Sequence, residues 1–348
     1  MAKTSRPKVP SKKASAKEAP AKKTAVKSTS ANSAMSASHK YVPMPGRESP
    51  RFSGIKTFFR LPFVAMNDDY DVGIVGVPFD GGASYRPGQR FAPTRVREVS
   101  SLGRVFHMGR MTSFTEKIKV ADVGDVPTVP IDLKKTYAKI QKFYKQGLAL
   151  NKRFISVGGD HSITLPILRE IRKSVGKPVR FIHFDAHFDT YPAAWDMEYH
   201  HGSFARHAVE EKLIDPRGSI QIGIRGPLAG GSDLDFTKKH GIRVATMDEI
   251  RGKGIEAFVK SLPDFGDDPV YISYDVDCLD PAYAPGTGTP VPGGLSTYEV
   301  QQIFRGLKVK NLVGADVVEV NPPYDVSDIT SLAALDAVFE MIGLMAVS

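Results

Sequence analysis

Between residues 71 and 320 the chain alternates short apolar runs with longer amphipathic ones. The apolar runs are "DVGIVGVP" (71–78), "KIKVADVG" (117–124), "RFISVGG" (153–159), "PVRFIHFDAH" (178–187), "SIQIGIR" (219–225), "IRVA" (242–245), "PVYISYDVD" (269–277) and "NLVGADVVEV" (311–320). Most are rich in β-branched or aromatic residues and lack polar–apolar alternation, as expected of parallel strands covered on both faces. Helical periodicity fills the intervals at 131–149, 162–175, 203–213, 233–240, 248–262 and 296–308, and continues at 327–346. Ser296 followed by Glu299 predicts a capping box at the start of its helix. Strict alternation of this kind predicts an α/β fold, one doubly wound domain around a mostly parallel sheet of about eight strands.

Charge changes the picture at one end only. The formal net charge is +9. Residues 1–38 hold eight lysines and one arginine against Glu18, a net +8, which leaves +1 for residues 39–348. The same segment is Ala, Ser, Thr, Pro and Lys with almost no aliphatic bulk, so it is expected to be a disordered basic tail. Any nucleic-acid contact is expected through that tail alone. Residues 39–70, with "RFSGIKTFFRLPF", are expected to pack as an N-terminal arm, and 71–348 to form the catalytic domain. No apolar run reaches the length of a membrane span, so no membrane partner is expected. A single cysteine, Cys278, cannot form an intramolecular disulfide, which fits a reducing cytoplasm.

The chemistry gathers where apolar runs stop. "FISV" is followed by "GGDHS" with His161. "RFIHF" is followed by Asp185, His187 and Asp189. "YISY" is followed by Asp275 and Asp277, and "ADVV" by Glu319. In an open α/β sheet the carboxyl ends of the strands form the ligand-binding rim, so these residues are expected to share one site. That many carboxylates cannot remain ionised together without counter-charge. The six groups His161, Asp185, His187, Asp189, Asp275 and Asp277 suit two divalent ions bridged by shared carboxylates. An oxygen-rich set with two imidazoles and no thiolate points to Mn²⁺ over a structural zinc, with Ni²⁺, Co²⁺ or Fe²⁺ permitted. Two such ions can share a water and lower its pKa toward neutrality.

The blocks "GGDHS", "DAHFDTY" and "SYDVDCLDPAYAPGTGTPVPGG" resemble the signatures of the ureohydrolase superfamily of arginases and agmatinases, most closely its agmatinase branch. "GVPFDGGASYRPGQRFAPTRVR", "QIGIRG" and "VVEVNPPYD" carry the same likeness, which runs from about residue 50 to the C-terminus. The resemblance implies a three-layer α/β/α sandwich that assembles as trimers or hexamers, or as a hetero-oligomer with a paralogous subunit. It implies hydrolysis of a guanidino compound to urea and an amine by a hydroxide held between two ions. One ion would be held by His161, Asp185, Asp189 and Asp275, the other by Asp185, His187, Asp275 and Asp277. By the same likeness Asp189 accepts the nucleophile's proton, Glu319 pairs with the guanidinium, and His201 in "EYHHGS" delivers a proton. His200 is the competing choice, His183 a core residue, His207 structural and Cys278 a buried slot-filler.

The chain also departs from the pattern. Where arginases carry an Asn that grips an α-carboxylate, this sequence reads "TYPAAWDMEYH", and "RFAP" has Ala92 where agmatinase-type enzymes carry Gly. Tyr191, Trp195 and Met197, with Tyr85, are expected to make an apolar, aromatic substrate wall. Such a wall suits free guanidine, an alkylguanidine or a biguanide, and agmatine or a guanidino acid if another residue supplies the partner. For the most compact substrates Ni²⁺ rivals Mn²⁺. A deacetylase on the same topology would keep a single-metal site, which His161 and Asp277 argue against. A non-catalytic supporting subunit would have lost a ligand, and none is lost.

Overall fold

The computed structural model describes residues 41–348; the expectations for the basic tail lie outside them. Eight strands form one sheet: β1 (Val72–Val77), β2 (Val120–Asp125), β3 (Arg153–Gly158), β4 (Arg180–Phe184), β5 (Ile220–Ile224), β6 (Arg243–Thr246), β7 (Val270–Asp275) and β8 (Leu312–Val318). Their order across the sheet is β2-β1-β3-β8-β7-β4-β5-β6, with every pairing parallel. Each of the eight apolar runs became one of these strands.

Among the described residues nine helices cover the two faces: α1 (Ala92–Val99), α2 (Leu133–Ala149), α3 (Thr164–Val175), α4 (Phe204–Glu210), α5 (Asp235–His240), α6 (Met247–Lys253), α7 (Ile255–Lys260), α8 (Thr297–Gly306) and α9 (Ile329–Met345). Two apolar clusters show the layering. On one face Ile74, Ile155, Ile182 and Ile272 pack with Val96, Ile250, Phe304 and Met341 from α1, α6, α8 and α9. On the other Val75, Phe154, Phe181 and Tyr271 pack with Tyr137, Leu168 and Phe204 from α2, α3 and α4. Alternate strand residues feed opposite clusters, so both sides of the sheet are buried, and the polar residues they do hold, such as Ser273 and Asp316, are hydrogen-bonded. Each fully buried large apolar side chain contributes about 1.5–3 kcal/mol relative to exposure. This is a three-layer α/β/α sandwich, as the sequence resemblance implied.

The predicted capping box forms: Ser296 Oγ accepts from the Glu299 amide at 3.2 Å, and Glu299 Oε2 accepts from the Ser296 amide at 2.7 Å. Three boundaries differ from the periodicity. The segment 248–262 divides into α6 and α7 at Gly254, whose φ of 77° leaves the helical region. The run 311–320 stops at Val318, because Glu319 turns out of the strand at φ 65°. Helix α1 carried no helical expectation; it starts with a proline in its first turn and buries only Ala92, Pro93, Val96 and Val99. In the arm, Phe58, Phe59 and Leu61 are buried in the first of the two clusters. No helix among the described residues is long and apolar enough to cross a membrane.

Candidate active site

The four central strands, β3, β8, β7 and β4, lie side by side, and each ends in a site residue. After β3 the chain must pass close to the loop after β1, and Gly159 allows it: a Cβ there would lie 1.7 Å from the Phe79 carbonyl oxygen. Asp160 then caps the turn His161–Ile163, accepting from the Ser162 amide at 2.9 Å. Asp275 closes β7 and accepts from the Asp277 amide at 2.8 Å, so both carboxylates are set by one tight turn. Asp277 Oδ1 accepts from the Ala186 amide at 2.9 Å, which joins the ends of β4 and β7. Asp189 sits at φ 52° and Glu319 at φ 65°. Left-handed backbone at a non-glycine residue costs on the order of 1–3 kcal/mol and gathers at functional sites.

Around His161 three carboxylates converge: its Nδ1 lies 3.2 Å from Asp185 Oδ2, 3.1 Å from Asp189 Oδ2 and 3.1 Å from Asp275 Oδ2. Its other nitrogen is committed elsewhere. Ser273 donates its hydroxyl to Asp316 Oδ1 at 2.6 Å, so its oxygen accepts from His161 Nε2 at 2.8 Å. Asp316 is held in turn by Thr164 and Tyr271 hydroxyls at 2.8 and 2.7 Å. Nδ1 is thereby aimed into the cage, where a single N–H could not serve three acceptors. Beside it, His187 Nδ1 lies 3.3 Å from Asp185 Oδ1 and 3.0 Å from Asp277 Oδ2.

The electrostatics of this cage show a shortage of positive charge. Burial, then Asp277 and Asp185, holds Asp275 well above the usual carboxylate range, and burial with Asp185 also raises Asp277. Burial disfavours a charged His161, yet its bonds to Asp185, Asp189 and Asp275 raise its pKa well above the ordinary value. For His187 burial is likewise outweighed, by Asp277 and Asp185, and its pKa is pushed up to about 12. Asp185 is buried too, but His183, His161 and His187, which ring it, instead hold it well below the usual range; the raised carboxylates and imidazoles around it are sites that take protons for want of cations. Two groups of ligand atoms, His161-His183-Asp185-Asp189 and Asp185-His187-Asp277, are compact enough to hold an ion, and Asp185 belongs to both. The donor set therefore fits two divalent ions.

His183 stands beside this set rather than in the apolar core alone. Its Nδ1 accepts from Gln221 Nε2 at 3.0 Å, so Nε2 carries the hydrogen and donates to Asp185 Oδ2 at 2.8 Å. It orients a carboxylate, as outer partners of metal ligands do. Cys278 is free and buried, and burial pushes its thiol well above the ordinary value, in keeping with a packing role. His207 Nε2 donates to the Glu198 carbonyl oxygen, 3.0 Å away, outside the cage.

His201 and Glu319 form a second unit at the cage's edge. His201 Nδ1 lies 3.0 Å from Glu319 Oε1, and its Nε2 lies 2.7 Å from Ser84 Oγ. Burial lowers the pKa of His201, but Glu319 through charge and hydrogen bond more than offsets this, raising it to about 9. Glu319 Oε1 also accepts the His161 amide at 2.9 Å, and Oε2 accepts Gln89 Nε2 at 2.8 Å. His200 is turned away, its Nε2 3.0 Å from Pro192 O.

A cleft of about 340 Å³ opens beside His201; Glu319 is buried behind it and is not among the lining residues. His187, Asp189, Asp275, Asp277, His201 and Ser84 form its floor, and Tyr191, Trp195, His200 and Thr289 line it with the Pro192–Ala194 backbone segment. Met197 and Tyr85 are not among its lining residues, so the expected aromatic wall is narrower than the sequence suggested. Trp195 is 71% exposed and stands at the mouth. No Lys or Arg lines the cleft.

Sequence reasoning passed over several residues that hold this arrangement. Asp316 is a carboxylate inside an apolar strand run, which is itself a signal. Gln89, Ser84 and Ser273 offer none, because their partners lie far away in sequence. Arg225, in the quoted "QIGIRG", donates Nη2 to Asp277 O at 2.7 Å and to Val291 O at 2.6 Å, clasping the turn that bears Asp277.

Comparison with known proteins gives concordant results. A sequence model of the arginase family matches residues 70–343. The chain is 45% identical to guanidinopropionase of Pseudomonas aeruginosa over 90% of its own length and 98% of the relative's. It is 42% identical to agmatinase of Escherichia coli over 83% and 92%. Among solved structures it resembles proclavaminate amidinohydrolase of Streptomyces clavuligerus with a TM-score of 0.80 and 41% identity, covering 86% of this chain and 99% of that one.

Proposed function

The chain belongs to the arginase family, and from that premise we propose that this amidinohydrolase cleaves a short guanidino compound to urea and an amine at a two-metal site. The carrying observation is the convergence of His161, Asp185, Asp189 and Asp275 beside His187 and Asp277 at four adjacent strand ends. His161, Asp185, Asp189 and Asp275 would hold one ion and Asp185, His187, Asp275 and Asp277 the other. When bound, two divalent ions supply Lewis acidity and bring the pKa of a shared water toward neutrality.

The chain's own groups do the rest. Asp189, on the cleft floor, would take the proton released as the nucleophile forms its bond to the guanidinium carbon and pass it to the leaving nitrogen as the C–N bond breaks, so that the proton from His201 is the second one, which leaves the amine as an ammonium. Glu319 Oε2 carries one donor and keeps a lone pair for a guanidinium N–H, a charge-assisted contact. His201, kept protonated by Glu319, delivers its proton to the departing amine. Burial of the floor excludes bulk water and keeps these charges effective.

Tyr191 and Trp195 would contact the substrate's distal part, with His200 behind them. With no cationic side chain on the lining, a short substrate with a neutral or cationic far end fits best: guanidine, an alkylguanidine or biguanide, or agmatine, with a cation–π contact available at Trp195. A guanidino acid, as the name of the P. aeruginosa relative suggests, would need Tyr191, Thr289 or Ser84 to bind its carboxylate. Mn²⁺ is the first metal to test and Ni²⁺ the second. The experiment is urea release across guanidine, methylguanidine, metformin, agmatine, 3-guanidinopropionate and 4-guanidinobutyrate, with enzyme reconstituted separately with each ion. Turnover of at least one is expected; no urea from any of them with either ion would overturn the reading. The same preparations, sized in solution, test the expected trimer or hexamer.

A further inference from the structure

A second cleft, of about 460 Å³, is built from the segment 42–60 and the turn 101–105 and shares no lining residue with the active site. Four guanidinium groups line it, those of Arg47, Arg51, Arg60 and Arg104, with no Asp or Glu. Several other arginines are paired with acids, as in Arg97–Asp122, Arg169–Glu211 and Arg180–Asp268. These four have no carboxylate partner among the described residues. Arg60 Nη2 donates to Ser49 O at 2.8 Å, and Arg104 Nη1 to the carbonyls of Leu102 and Gly103 at 3.2 and 3.1 Å.

Arg60 carries the argument. Its Nη1 is buried with no hydrogen-bond partner among the described residues, and a guanidinium cannot shed its charge to relieve that. A buried donor left unpaired is costly and calls for an acceptor. The backbone is strained to place it: Phe59 and Arg60 sit consecutively at φ 55° and 60°, a conformation non-glycine residues avoid. Phe59 is anchored by a bond from its amide to Ser100 Oγ at 2.8 Å and by near-complete burial. Arg60 follows directly on this anchored residue and is one of the residues that line the cleft.

Four arginines without a carboxylate partner around one cavity match a dianionic phosphoryl group better than a single carboxylate, since a guanidinium fork can engage two oxygens. The cavity is far larger than a bare phosphate, and Val42, Met44, Phe59 and Val105 give it an apolar side. We propose that this cleft binds a small organic phosphate, with the phosphoryl oxygens on the arginines and the organic body against that apolar side.

The test uses full-length, metal-loaded enzyme and calorimetric titration at constant ionic strength, with phenyl phosphate, inorganic phosphate and benzoate as probes. Phenyl phosphate is expected to bind saturably with a Kd of about 1 mM or tighter, ahead of both other probes. The double variant Arg47→Gln/Arg104→Gln, at exposed positions, is expected to weaken it at least about tenfold while steady-state activity and sedimentation stay unchanged. Arg60→Gln, checked for folding by circular dichroism, is expected to abolish it. Absence of saturation, equal binding of benzoate, or binding unaffected by the double variant (which leaves the basic tail intact) would overturn the proposal. So would dissociation of an oligomer by that variant, which would make the cleft an interface between copies of the chain.

Discussion

Replacing Glu319 by Gln removes one charge while keeping the side chain's shape, and the structure sets the size of the effect. Glu319 Oε1 lies 3.0 Å from His201 Nδ1, and His201 has its pKa raised from 6.5 to about 9 with Glu319 the largest raising influence. A shift of that size is worth about 3 kcal/mol between the two protonation states. With the carboxylate gone, burial is opposed only by the weaker pulls of Asp189 and Asp160, and the His201 pKa falls to its ordinary value or below. At pH 7.5 the protonated fraction would then fall from nearly all to roughly one tenth. Urea release followed from pH 6 to 10 should show kcat/KM falling above about pH 9 in the native enzyme and above about pH 6.5 in Glu319→Gln. A roughly tenfold deficit at pH 7.5 is expected from protonation alone, with a further loss from the missing guanidinium contact. Because the folded pKa is raised, the pair's contribution to stability is complete below about pH 6.5 and is lost as pH rises through about 9. Metal content should be unchanged. An alkaline limb in the same place in both proteins would refute the pairing of His201 with Glu319 as the proton source.

Two other substitutions probe the surroundings. Asp316→Asn disturbs the chain from Asp316 through Ser273 to His161 Nε2 without touching the cage, and metal affinity measured by competition with a chelator should fall about 10–100-fold; unchanged affinity would show that the chain does not orient His161. Trp195→Ala removes the aromatic group at the cleft mouth and should raise KM several-fold for the preferred substrate, with kcat changed much less; a fall in kcat at constant KM would place Trp195 in the chemistry instead.

What the sequence displayed, it displayed for physical reasons. Parallel strands buried on both faces are nearly continuous apolar runs, so β1, β3, β7 and β8 are visible as segments such as "VGIVGV" and "VYISYD". Ligand-type residues directly after such runs stand out because buried strands exclude them. Helix α1 was hidden because its apolar positions are few and its exposed face is charged. The sheet order that brings β3, β8, β7 and β4 together cannot be seen in any local pattern. Nor can the contact of Gln89 with Glu319, which spans 230 residues. His183 shows the intermediate case: its burial was legible, but its bond to Asp185 depends on which tautomer Gln221 selects, and that is decided across the β4–β5 pairing.

The account rests on two cations sharing the cage between His161 and His187. Elemental analysis of active, purified enzyme measures this directly, with Asp185→Ala and Asp275→Ala alongside. Two transition-metal ions per polypeptide are expected in the native protein, with loss of both metal and urea release in each variant, since each carboxylate would serve both ions. Full activity with fewer than two ions per chain, or activity that survives removal of metal by a chelator, would contradict it.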